Sequence, residues 1–511
     1  MKKFLKLLLH RMVLVGAALA VQAAVLILVI WRFNDRFVYF YAACTLLSIG
    51  VVLWIVNDRS NPGYKIAWII PILLFPIFGG LFYVMFGGNR LSGRIKKKMR
   101  DMERHMAEEL VPVHPVREDI LQLSRSAGIQ SRYIERYAYC PPYQNTMTEY
   151  LPSGERKFEV LKQELLKAEH YIFLEYFIIQ EGIMWNSILD ILVRKAKQGV
   201  DVRLIYDDMG CIMTLPYGYN KKLEKMGIKT CVFNPFIPIL TTKLNNRDHR
   251  KIAVIDGHTG ITGGINLADE YINAYEKHGR WRDAAILLKG EAVWSLTVMF
   301  LTMWEYLRGA EDNFEQYRPQ VHQKKREATD GYIQPYADNP LDDEPVGETV
   351  YLNLIGRARQ SIYINTPYLI IDNEMVTALC NAAKGGVDVR IVTPHIADKK
   401  FVHAVTRAYY DVLLESGVRI YEYTPGFVHA KTFVVDDDYG TVGTVNLDYR
   451  SLYLHFECGV WMYRSSSVLA VKEDFLKHLP ECQEITLGDC RSVRWYRRLG
   501  RSILRVFAPL L

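Results

Sequence analysis

The sequence predicts an α/β protein in which two related α-β-α lobes follow an N-terminal helical membrane anchor. Three observations support this class. Long uncharged runs are confined to the first 88 residues, β-rich runs alternate with amphipathic helices from about residue 130, and motifs recur between the two halves of the chain. A length of 511 residues is sufficient for an anchor and two domains of ordinary size.

The overall composition conceals this division. Charged residues make up 23% of the chain, the formal net charge is +7 and the mean hydropathy is −0.02. These values exclude a disordered or collagenous chain. The eight cysteines are scattered without a CxxC pair, which argues against a disulfide scaffold and a cysteine-ligated zinc site and fits a reducing compartment.

Residues 1–88 are predicted to form the membrane anchor. Residues 12–31 and 37–56 are two runs of 20 residues without a charged side chain, and each can cross a hydrocarbon core of about 30 Å as a helix. Residues 66–86 are also uncharged but contain two prolines and a Gly-Gly pair, so this segment either spans as a kinked helix or re-enters the membrane. A cleaved signal peptide is the alternative for the first run, but that run continues well past its Ala-Leu-Ala site.

We therefore expect a multi-pass protein of the cell membrane. The Lys and Arg residues that flank the uncharged runs divide almost evenly between the two sides of the membrane. The excess of basic residues on the inner side, which normally sets orientation, therefore favours a cytoplasmic location of the lobes only weakly. A re-entrant third segment would put the basic N-terminus and the lobes on the same inner side. The cysteine usage also favours the cytoplasm.

The remaining chain is predicted to be a duplication, with lobes at residues 130–310 and 333–486 joined by a polar connection. The sequence GVDVR at 199–203 begins a strand in the first half, and the same five residues at 386–390 begin one in the second. Self-similarity of this kind indicates repeated structural units. A basic amphipathic tail, residues 487–511, follows the second lobe.

The sharpest repeat is His-x-Lys-x4-Asp-x6-Gly-x-x-Asn, which occurs twice at identical spacing. A pattern with five fixed positions that occurs twice in one chain is not a chance match. Its residues are His249, Lys251, Asp256, Gly263 and Asn266 in the first copy and His429, Lys431, Asp436, Gly443 and Asn446 in the second.

The spacing assigns different positions to these side chains. If the apolar residues after each histidine form a strand, the histidine and lysine project from one face, whereas the aspartate, seven residues from the histidine, lies on the opposite face. Asp256 and Asp436 are therefore expected to orient a turn rather than to act as acid–base partners of their own histidines. Each glycine permits a tight turn that returns its asparagine towards the histidine and lysine.

Two histidines, two lysines and two asparagines on facing strands suit displacement at a phosphodiester. One neutral imidazole can attack phosphorus to give a covalent phosphohistidine, while the other, protonated, donates to the leaving alcohol. A pKa near neutrality lets two histidines hold opposite protonation states. Lysine ammonium groups and the amides of Asn266 and Asn446 stabilise charge on the non-bridging oxygens, so we expect no metal ion and no other cofactor.

Residues outside the two copies extend the pattern. They are Asn61-Pro62 in the anchor, Trp281-Arg282-Asp283 after the first copy, Leu447-Asp448-Tyr449-Arg450-Ser451 after the second, and Phe456-Glu457. With these residues and the two motifs, the sequence resembles the phospholipase D superfamily and, within it, the bacterial cardiolipin synthase family. The resemblance covers nearly the whole chain. Thr444 departs from the family's usual serine after Gly443 but retains a hydroxyl.

The resemblance implies two phospholipase D-like lobes with one shared active site. It implies that His249 is the nucleophile and His429 the general acid and base. The catalytic set that it implies is His249, Lys251, Asp256, His429, Lys431 and Asp436. It further implies that Asp283 and Glu457, each about thirty residues beyond the histidine of its own half, support the histidines; a structural ion pair is the alternative.

The reaction implied by the resemblance is phosphatidyl transfer between two phosphatidylglycerol molecules, giving cardiolipin and glycerol. Hydrolysis by water and transfer to another alcohol are the alternatives within enzymes, and a nuclease or an inactive lipid-binding scaffold are alternatives of another class. The anchor and the lack of a long basic stripe in the lobes argue against nucleic acid as a partner. The sequence does not determine the oligomeric state.

The tail is the second basic feature. Val493, Tyr496, Leu499, Ile503 and Val506 recur at helical spacing among six arginines. This pattern is typical of a helix at the surface of an anionic bilayer, and a solvated helix docked on the protein is the alternative. The basic cluster at residues 90–100 is expected to act likewise.

Overall fold

A computed structural model describes most of the chain. The described residues are 20, 21, 24, 28, 37–58, 60–76, 78–87, 93–111, 116–235, 246–319, 330–342 and 344–510. The first uncharged run, at residues 12–31, lies almost wholly outside them. Parts of the 90–100 cluster and of the connection between the lobes also lie outside the described residues.

The other two uncharged runs form three helices, α1 (Phe37–Asn57), α2 (Pro62–Leu74) and α3 (Gly79–Phe86). Within the part of the chain that the structure describes, α1 is the one helix long and apolar enough to cross a membrane, over Val38–Asn57. The third run is broken after Leu74. Its first piece, α2, has 13 residues and is therefore only about 20 Å long.

The break allows α3 to fold back on α2 and α1. A Cβ atom at Gly79 would lie 2.4 Å from the Cα of Ile72, and one at Gly80 would lie 2.6 Å from Ser48 Oγ. Glycine is required at both positions because the helices approach so closely. The third run is therefore not one straight helix.

The first lobe is built on a seven-stranded sheet of order β1-β9-β7-β6-β2-β3-β4. The strands up to the end of this lobe are β1 (Thr146–Leu151), β2 (Tyr171–Tyr176), β3 (Asp201–Asp207), β4 (Lys229–Phe233), β5 (Arg247–Asp248), β6 (Ile252–Ile255), β7 (Thr259–Gly263), β8 (Arg280–Arg282) and β9 (Ala285–Gly290). The helices are α4 (Gly93–Glu109), α5 (Val116–Leu123), α6 (Arg125–Tyr137), α7 (Gly154–Lys167), α8 (Ile183–Lys197), α9 (Tyr219–Glu224) and α10 (Val293–Arg308).

The second lobe repeats this plan. Its strands are β10 (Tyr332–Asp338), β11 (Ser361–Asn365), β12 (Leu369–Ile370), β13 (Asp388–Pro394), β14 (Arg419–Tyr423), β15 (Gly426–Val428), β16 (Thr432–Val435), β17 (Tyr439–Gly443), β18 (Leu447–Asp448), β19 (His455–Tyr463) and β20 (Cys482–Ile485). The helices are α11 (Val346–Ile355), α12 (Asn373–Lys384), α13 (Lys400–Thr406), α14 (Tyr410–Glu415), α15 (Tyr449–Tyr453), α16 (Ser466–His478), α17 (Leu487–Arg491) and α18 (Trp495–Val506).

The two sheets have the same topology. The order β10-β19-β17-β16-β11-β13-β14 matches that of the first sheet strand by strand, and β20 adds one strand at the edge. In both sheets the pairs β2–β3–β4 and β11–β13–β14 are parallel, and the other neighbours are antiparallel. The predicted α/β duplication is therefore confirmed.

Alternating side chains of the first sheet face two apolar cores. On β2, Ile172 and Leu174 face one core and Phe173 faces the other, as the strand period of two requires. The second of these cores continues without interruption into the second lobe. Helix α10, which is buried all along Val293–Trp304, lies within it. The lobes are thus joined by a common core.

The anchor is docked on the second lobe. Asn61 caps α2 by accepting a hydrogen bond from Gly63 N at 2.9 Å, and its amide donates to Asp372 Oδ2 at 3.2 Å and to the Tyr453 hydroxyl at 3.1 Å. Asp372 itself caps α12. A single polar side chain therefore ties the start of the anchor helix to two elements of the catalytic lobe.

The tail helix α18 lies against α2 and α13. It keeps an exposed apolar face that includes Trp495, Leu499 and Ile503, with Trp495 exposed to 76%. The tail helix is therefore docked on the protein and also exposes apolar side chains to its surroundings.

Candidate active site

The two His-x-Lys segments meet at the junction of the lobes. We expected them within strands, but they directly precede β6 and β16. Each follows a short strand that pairs in parallel with a strand of the other lobe, β5 with β19 and β15 with β8. His249 N donates to Phe456 O at 2.9 Å, and His429 N donates to Arg282 O at 2.7 Å. This reciprocal exchange brings both motifs to one site.

Each catalytic-motif histidine contacts a carboxylate from the opposite lobe. His249 Nδ1 lies 2.9 and 3.0 Å from the two carboxylate oxygens of Glu457, and His429 Nδ1 lies 2.6 Å from Asp283 Oδ2. The carboxylates therefore do not contact the histidines of their own halves. Because Nδ1 is engaged, Nε2 is the nitrogen of each ring that remains for chemistry.

Lys251 and Lys431 are buried beside these histidines. Each ammonium donates to the backbone carbonyl of the histidine two residues before it, and Lys431 Nζ also lies 2.7 Å from His429 Nδ1. Burial lowers the pKa of Lys251 to about 8 and the pKa of Lys431 to about 7. The site is therefore prepared for an anion, whose charge would stabilise both ammonium groups.

The histidines are neutral in the ligand-free site at neutral pH. Burial, reinforced by Lys251, holds the pKa of His249 well below its usual value. Burial and Lys431 lower the pKa of His429 to about 4, although Asp283 opposes them.

The pKa values of the two supporting carboxyl groups, Glu457 and Asp283, shift in opposite directions. Burial raises the pKa of Glu457 to about 8. Burial also acts to raise the pKa of Asp283, but Lys431 and His429 more than offset it and hold that pKa below its usual value.

A buried ionic network holds the first His-x-Lys segment. Arg250 forms an ion pair with Glu175 of β2 and donates from Nε to Asp248 Oδ1 at 3.1 Å. Asp248 N in turn donates to Asp207 Oδ2 at 3.1 Å. These contacts fix the backbone on both sides of His249 to the carboxyl ends of the central strands, where an active site is expected in an α/β sheet.

Asp256 and Asp436 lie in the turns that follow β6 and β16 and tie these turns to the starts of β2 and β11. Their carboxylates accept hydrogen bonds from the backbone N–H groups of Glu169, His170 and Tyr171, and of Arg359, Gln360 and Ser361, respectively. Both residues have a left-handed φ, +50° and +53°, which aspartate tolerates better than most residues. Three backbone contacts each agree with a turn-orienting role, and we assign neither aspartate a chemical step.

The two asparagines differ in their surroundings. Asn266 Oδ1 accepts from Ile178 N at 3.0 Å, and its Nδ2 donates to the Tyr271 hydroxyl at 2.6 Å. Asn446 Oδ1 is buried and has no hydrogen-bond partner within the described structure. Asn266 is thus largely engaged in the fold, whereas Oδ1 of Asn446 retains the capacity to accept a hydrogen bond from a ligand.

The residue after each motif glycine differs between the two halves, and each fits the length of the carboxylate side chain beside it. A Cβ at Gly264 would lie 2.1 Å from Asp283 Oδ1, so glycine makes room for the shorter acid. The equivalent residue in the second half is Thr444, whose hydroxyl donates to the longer Glu457. Gly263, for which we expected a tight turn, is required by close approach instead: its Cβ would lie 2.5 Å from Ala284 O.

Two aromatic rings flank the histidines at equivalent positions, and the sequence analysis did not assign them to the site. His455 and Trp281 each stand two residues before a supporting carboxylate. Their ring centroids lie 5.6 Å from that of His249 and 5.4 Å from that of His429, respectively. Aligning the two halves on the carboxylates would have revealed this pair.

Lys157 was also missed. It projects from α7, is 2% exposed and donates to the Tyr176 hydroxyl at 2.9 Å. Burial lowers the pKa of Lys157 to about 7, against the favourable charge of Asp283. No sequence signal identifies it, because its position depends on how α7 packs against the sheet.

One set of side chains could hold a metal ion. Among the described residues, His249, His455 and Glu457 are the group of three whose donor atoms all lie within 4.8 Å of one another.

Two lobes of one topology, each contributing a His-x-Lys segment and a carboxylate to a shared site, define a phospholipase D-type protein. The chain matches the family described as "Cardiolipin synthase, PLD-like domain" over residues 161–304 and 351–479, and the family described as "Phospholipase_D-nuclease N-terminal" over residues 46–88. The chain therefore belongs to the cardiolipin synthase family of the phospholipase D superfamily.

Individual relatives agree with this assignment. A cardiolipin synthase of Halalkalibacterium halodurans is 35% identical over 473 residues, covering 91% of this chain and 92% of the relative. Cardiolipin synthase 2 of Bacillus anthracis is 35% identical over 465 residues, covering 91% and 89%. An uncharacterized protein of Streptococcus mutans is 44% identical over 468 residues, covering 91% and 100%.

A solved structure supports the fold. Phosphatidylserine synthase of Haemophilus influenzae superimposes with a TM-score of 0.55, covering 75% of this chain and 98% of that chain at 16% identity. This likeness concerns the fold alone.

Proposed function

We propose that this chain is a membrane-anchored phosphatidyl transferase that converts two molecules of phosphatidylglycerol into cardiolipin and glycerol. The observation that carries the proposal is the pair of neutral imidazoles, each backed at Nδ1 by a carboxylate from the other lobe, beside two buried lysines. Membership of the cardiolipin synthase family supports the choice of substrate and product.

In the first step, Nε2 of His249 attacks the phosphorus of one phosphatidylglycerol. The bond from phosphorus to the glycerol headgroup breaks, and His429 gives its Nε2 proton to the departing oxygen. Glycerol leaves, and the phosphatidyl group remains bonded to His249. The positive charge that develops on the attacking ring lowers the pKa of Glu457, whose carboxylate then accepts a hydrogen bond from Nδ1 and stabilises that charge.

In the second step, His429 accepts a proton from a headgroup hydroxyl of a second phosphatidylglycerol. That oxygen attacks phosphorus, the phosphorus–nitrogen bond breaks, and cardiolipin is released from a regenerated His249. Water in place of the hydroxyl would give phosphatidic acid, and another alcohol would give another phosphatidyl ester. Anchoring at the bilayer favours lipid acceptors by raising their local concentration.

The substrate's own charge supplies the protonation state that the first step needs. With a pKa of about 4 in the free site, His429 is not protonated at neutral pH. An anionic phosphodiester beside it would raise that pKa, because an opposite charge favours the protonated ring. Lys251 and Lys431 neutralise the non-bridging oxygens, and the unpaired Oδ1 of Asn446 can accept a hydrogen bond from a headgroup hydroxyl.

The membrane arrangement that we propose uses three parts of the chain. Helix α1 spans the bilayer and α2 and α3 re-enter it; the sequence prediction that residues 12–31, most of which lie outside the described residues, also span puts the lobes on the cytoplasmic side. The exposed apolar face of α18 would then lie in the interface beside α2, with its arginines on anionic headgroups. We assign no nucleic-acid partner.

The decisive experiment incubates the full-length protein, reconstituted in nanodiscs containing phosphatidylglycerol, with EDTA present and analyses lipid products by mass spectrometry. We expect cardiolipin and glycerol in equal amounts, and a phosphatidyl adduct on His249 in quenched samples.

The control for this experiment is His105, which forms a similar Nδ1 contact to Glu305 at 2.8 Å on another surface. His249→Ala should abolish product and adduct, whereas His105→Ala should retain both. Phosphatidic acid without cardiolipin would replace the proposal by a hydrolase, and normal turnover of His249→Ala would refute the mechanism.

A further inference from the structure

His455 is held rigidly beside the proposed nucleophile, and the mechanism does not use it. Its backbone is fixed by the parallel pairing of β19 with β5, in which His455 faces Arg247. Both of its ring nitrogens are buried and lack a hydrogen-bond partner within the described structure. Burying unpaired polar nitrogens is costly, so a ligand that engages one of them would be favoured.

We propose that His249, His455 and Glu457 form an inhibitory site for a divalent transition-metal ion, for which Zn²⁺ is the best fit. Two imidazoles and one carboxylate, with the fourth position open, are a common ligand set for zinc. The three donors already converge: His249 Nδ1 and His455 Nδ1 lie 2.9 and 3.9 Å from Glu457 Oε1. Ligands at about 2.05 Å in tetrahedral geometry are about 3.3 Å apart, between these two values.

The proposed ion would inhibit by changing the tautomer of His249. In the active form the Nδ1 proton is shared with Glu457, and Nε2 has a lone pair for attack on phosphorus. A metal bound at Nδ1 displaces that proton, and a neutral ring then carries its proton at Nε2. Without the Nε2 lone pair, the phosphohistidine cannot form. The proton moves within the ring, so neither an oxidant nor a reductant is required.

The other half of the site offers an internal comparison. The position equivalent to His455 is Trp281, whose indole nitrogen is a donor only and cannot ligate a metal. His429 and Asp283 therefore lack a third ligand at this position. The nearby Lys251 and Lys431 repel a dication, so we expect binding that a chelator reverses readily rather than a permanent structural ion.

The test measures binding separately from turnover. Full-length protein in nanodiscs is titrated with Co²⁺, which absorbs visible light strongly when it is bound tetrahedrally, and Zn²⁺ is then added to displace it. We expect one tetrahedral Co²⁺ per chain in the wild type and in His105→Asn. His455→Asn should weaken Co²⁺ binding by at least about tenfold, because it removes a ligand.

Activity provides the second readout, compared in each variant with and without zinc. Zinc should inhibit the wild type and His105→Asn, EDTA should restore both, and His455→Asn should need at least about tenfold more zinc. Equal Co²⁺ binding, or equal zinc sensitivity, in wild type and His455→Asn would overturn the proposal. Only the activity readout rests on the proposed function: absence of transfer in EDTA would refute that function, while the Co²⁺ titration would still decide the metal site.

Discussion

Glu457 and Asp283 support the histidines of opposite lobes, and replacing each by its amide tests this exchange. Glu457→Gln removes a carboxyl group whose oxygens lie 2.9 and 3.0 Å from His249 Nδ1, and Asp283→Asn removes one that lies 2.6 Å from His429 Nδ1. A hydrogen bond to a charged group contributes about 1.5–3 kcal/mol. We therefore expect each variant to slow the step served by its histidine by about 10–150-fold.

The two steps can be separated with an activated donor. Phosphatidyl-p-nitrophenol releases a leaving group that needs no protonation, so a stopped-flow burst of p-nitrophenolate measures attack by the nucleophile alone. His249→Ala should show no burst, whereas His429→Ala should show a burst followed by little turnover. Glu457→Gln should slow the burst, as expected for a partner of His249. Asp283→Asn should keep the burst but slow transfer from phosphatidylglycerol.

Conservative replacements elsewhere control for the loss of a carboxylate. Glu484→Gln and Asp438→Asn remove exposed partners of Arg419 and Arg464 and should behave as wild type. The exchange is refuted if Glu457→Gln reproduces the pattern of His429→Ala, or Asp283→Asn that of His249→Ala. This comparison holds whichever histidine proves to be the nucleophile.

Two further predictions concern stability. The pKa of Lys157 falls to about 7 on folding from an ordinary value of 10.5, so the unfolded chain binds more protons between these values and wild-type stability should rise with pH across that window. Lys157→Met should remove this pH dependence and raise the unfolding free energy most near about pH 6, by up to about 5 kcal/mol. Chemical denaturation measures the difference in unfolding free energy between variant and wild type, and an equal difference near about pH 10 would contradict the prediction. Asp436→Asn should lower the unfolding free energy by about 1–3 kcal/mol, because three backbone N–H groups lose a charged acceptor, yet keep kcat within a few-fold below the melting temperature. A large loss of kcat at unchanged stability would instead give this carboxylate a chemical role.

Much of the fold was predictable because it is encoded locally. The duplication follows from two copies of one motif, and the strand at each GVDVR segment follows from a short apolar run. The position of Asp256 after the strand follows from the apolar run that precedes it, whereas its contacts with the backbone of residues 169–171 do not follow from local spacing. Local patterns determine such features because neighbouring residues are tied by the covalent backbone.

Other features depended on packing. The third uncharged run was predicted to be a kinked or re-entrant segment, but its sequence does not specify that α3 packs against α2 and α1 at Gly79 and Gly80. The position of His-x-Lys before the strand, rather than within it, results from the pairing of β5 and β15 with the other lobe. Such pairings join segments far apart in the chain, and no local spacing specifies them.

The sequence by itself determined the chemistry: two histidines and two lysines in repeated motifs, behind an apolar anchor. Only the tertiary structure decided the partners within the site. Glu457 reaches His249 across 208 positions of sequence, and Asp283 reaches His429 across 146. The reason is physical: the two lobes exchange equivalent strands, so each carboxylate lies beside the histidine of the opposite lobe. The same exchange places His455, the counterpart of Trp281 in the second lobe, beside the proposed nucleophile.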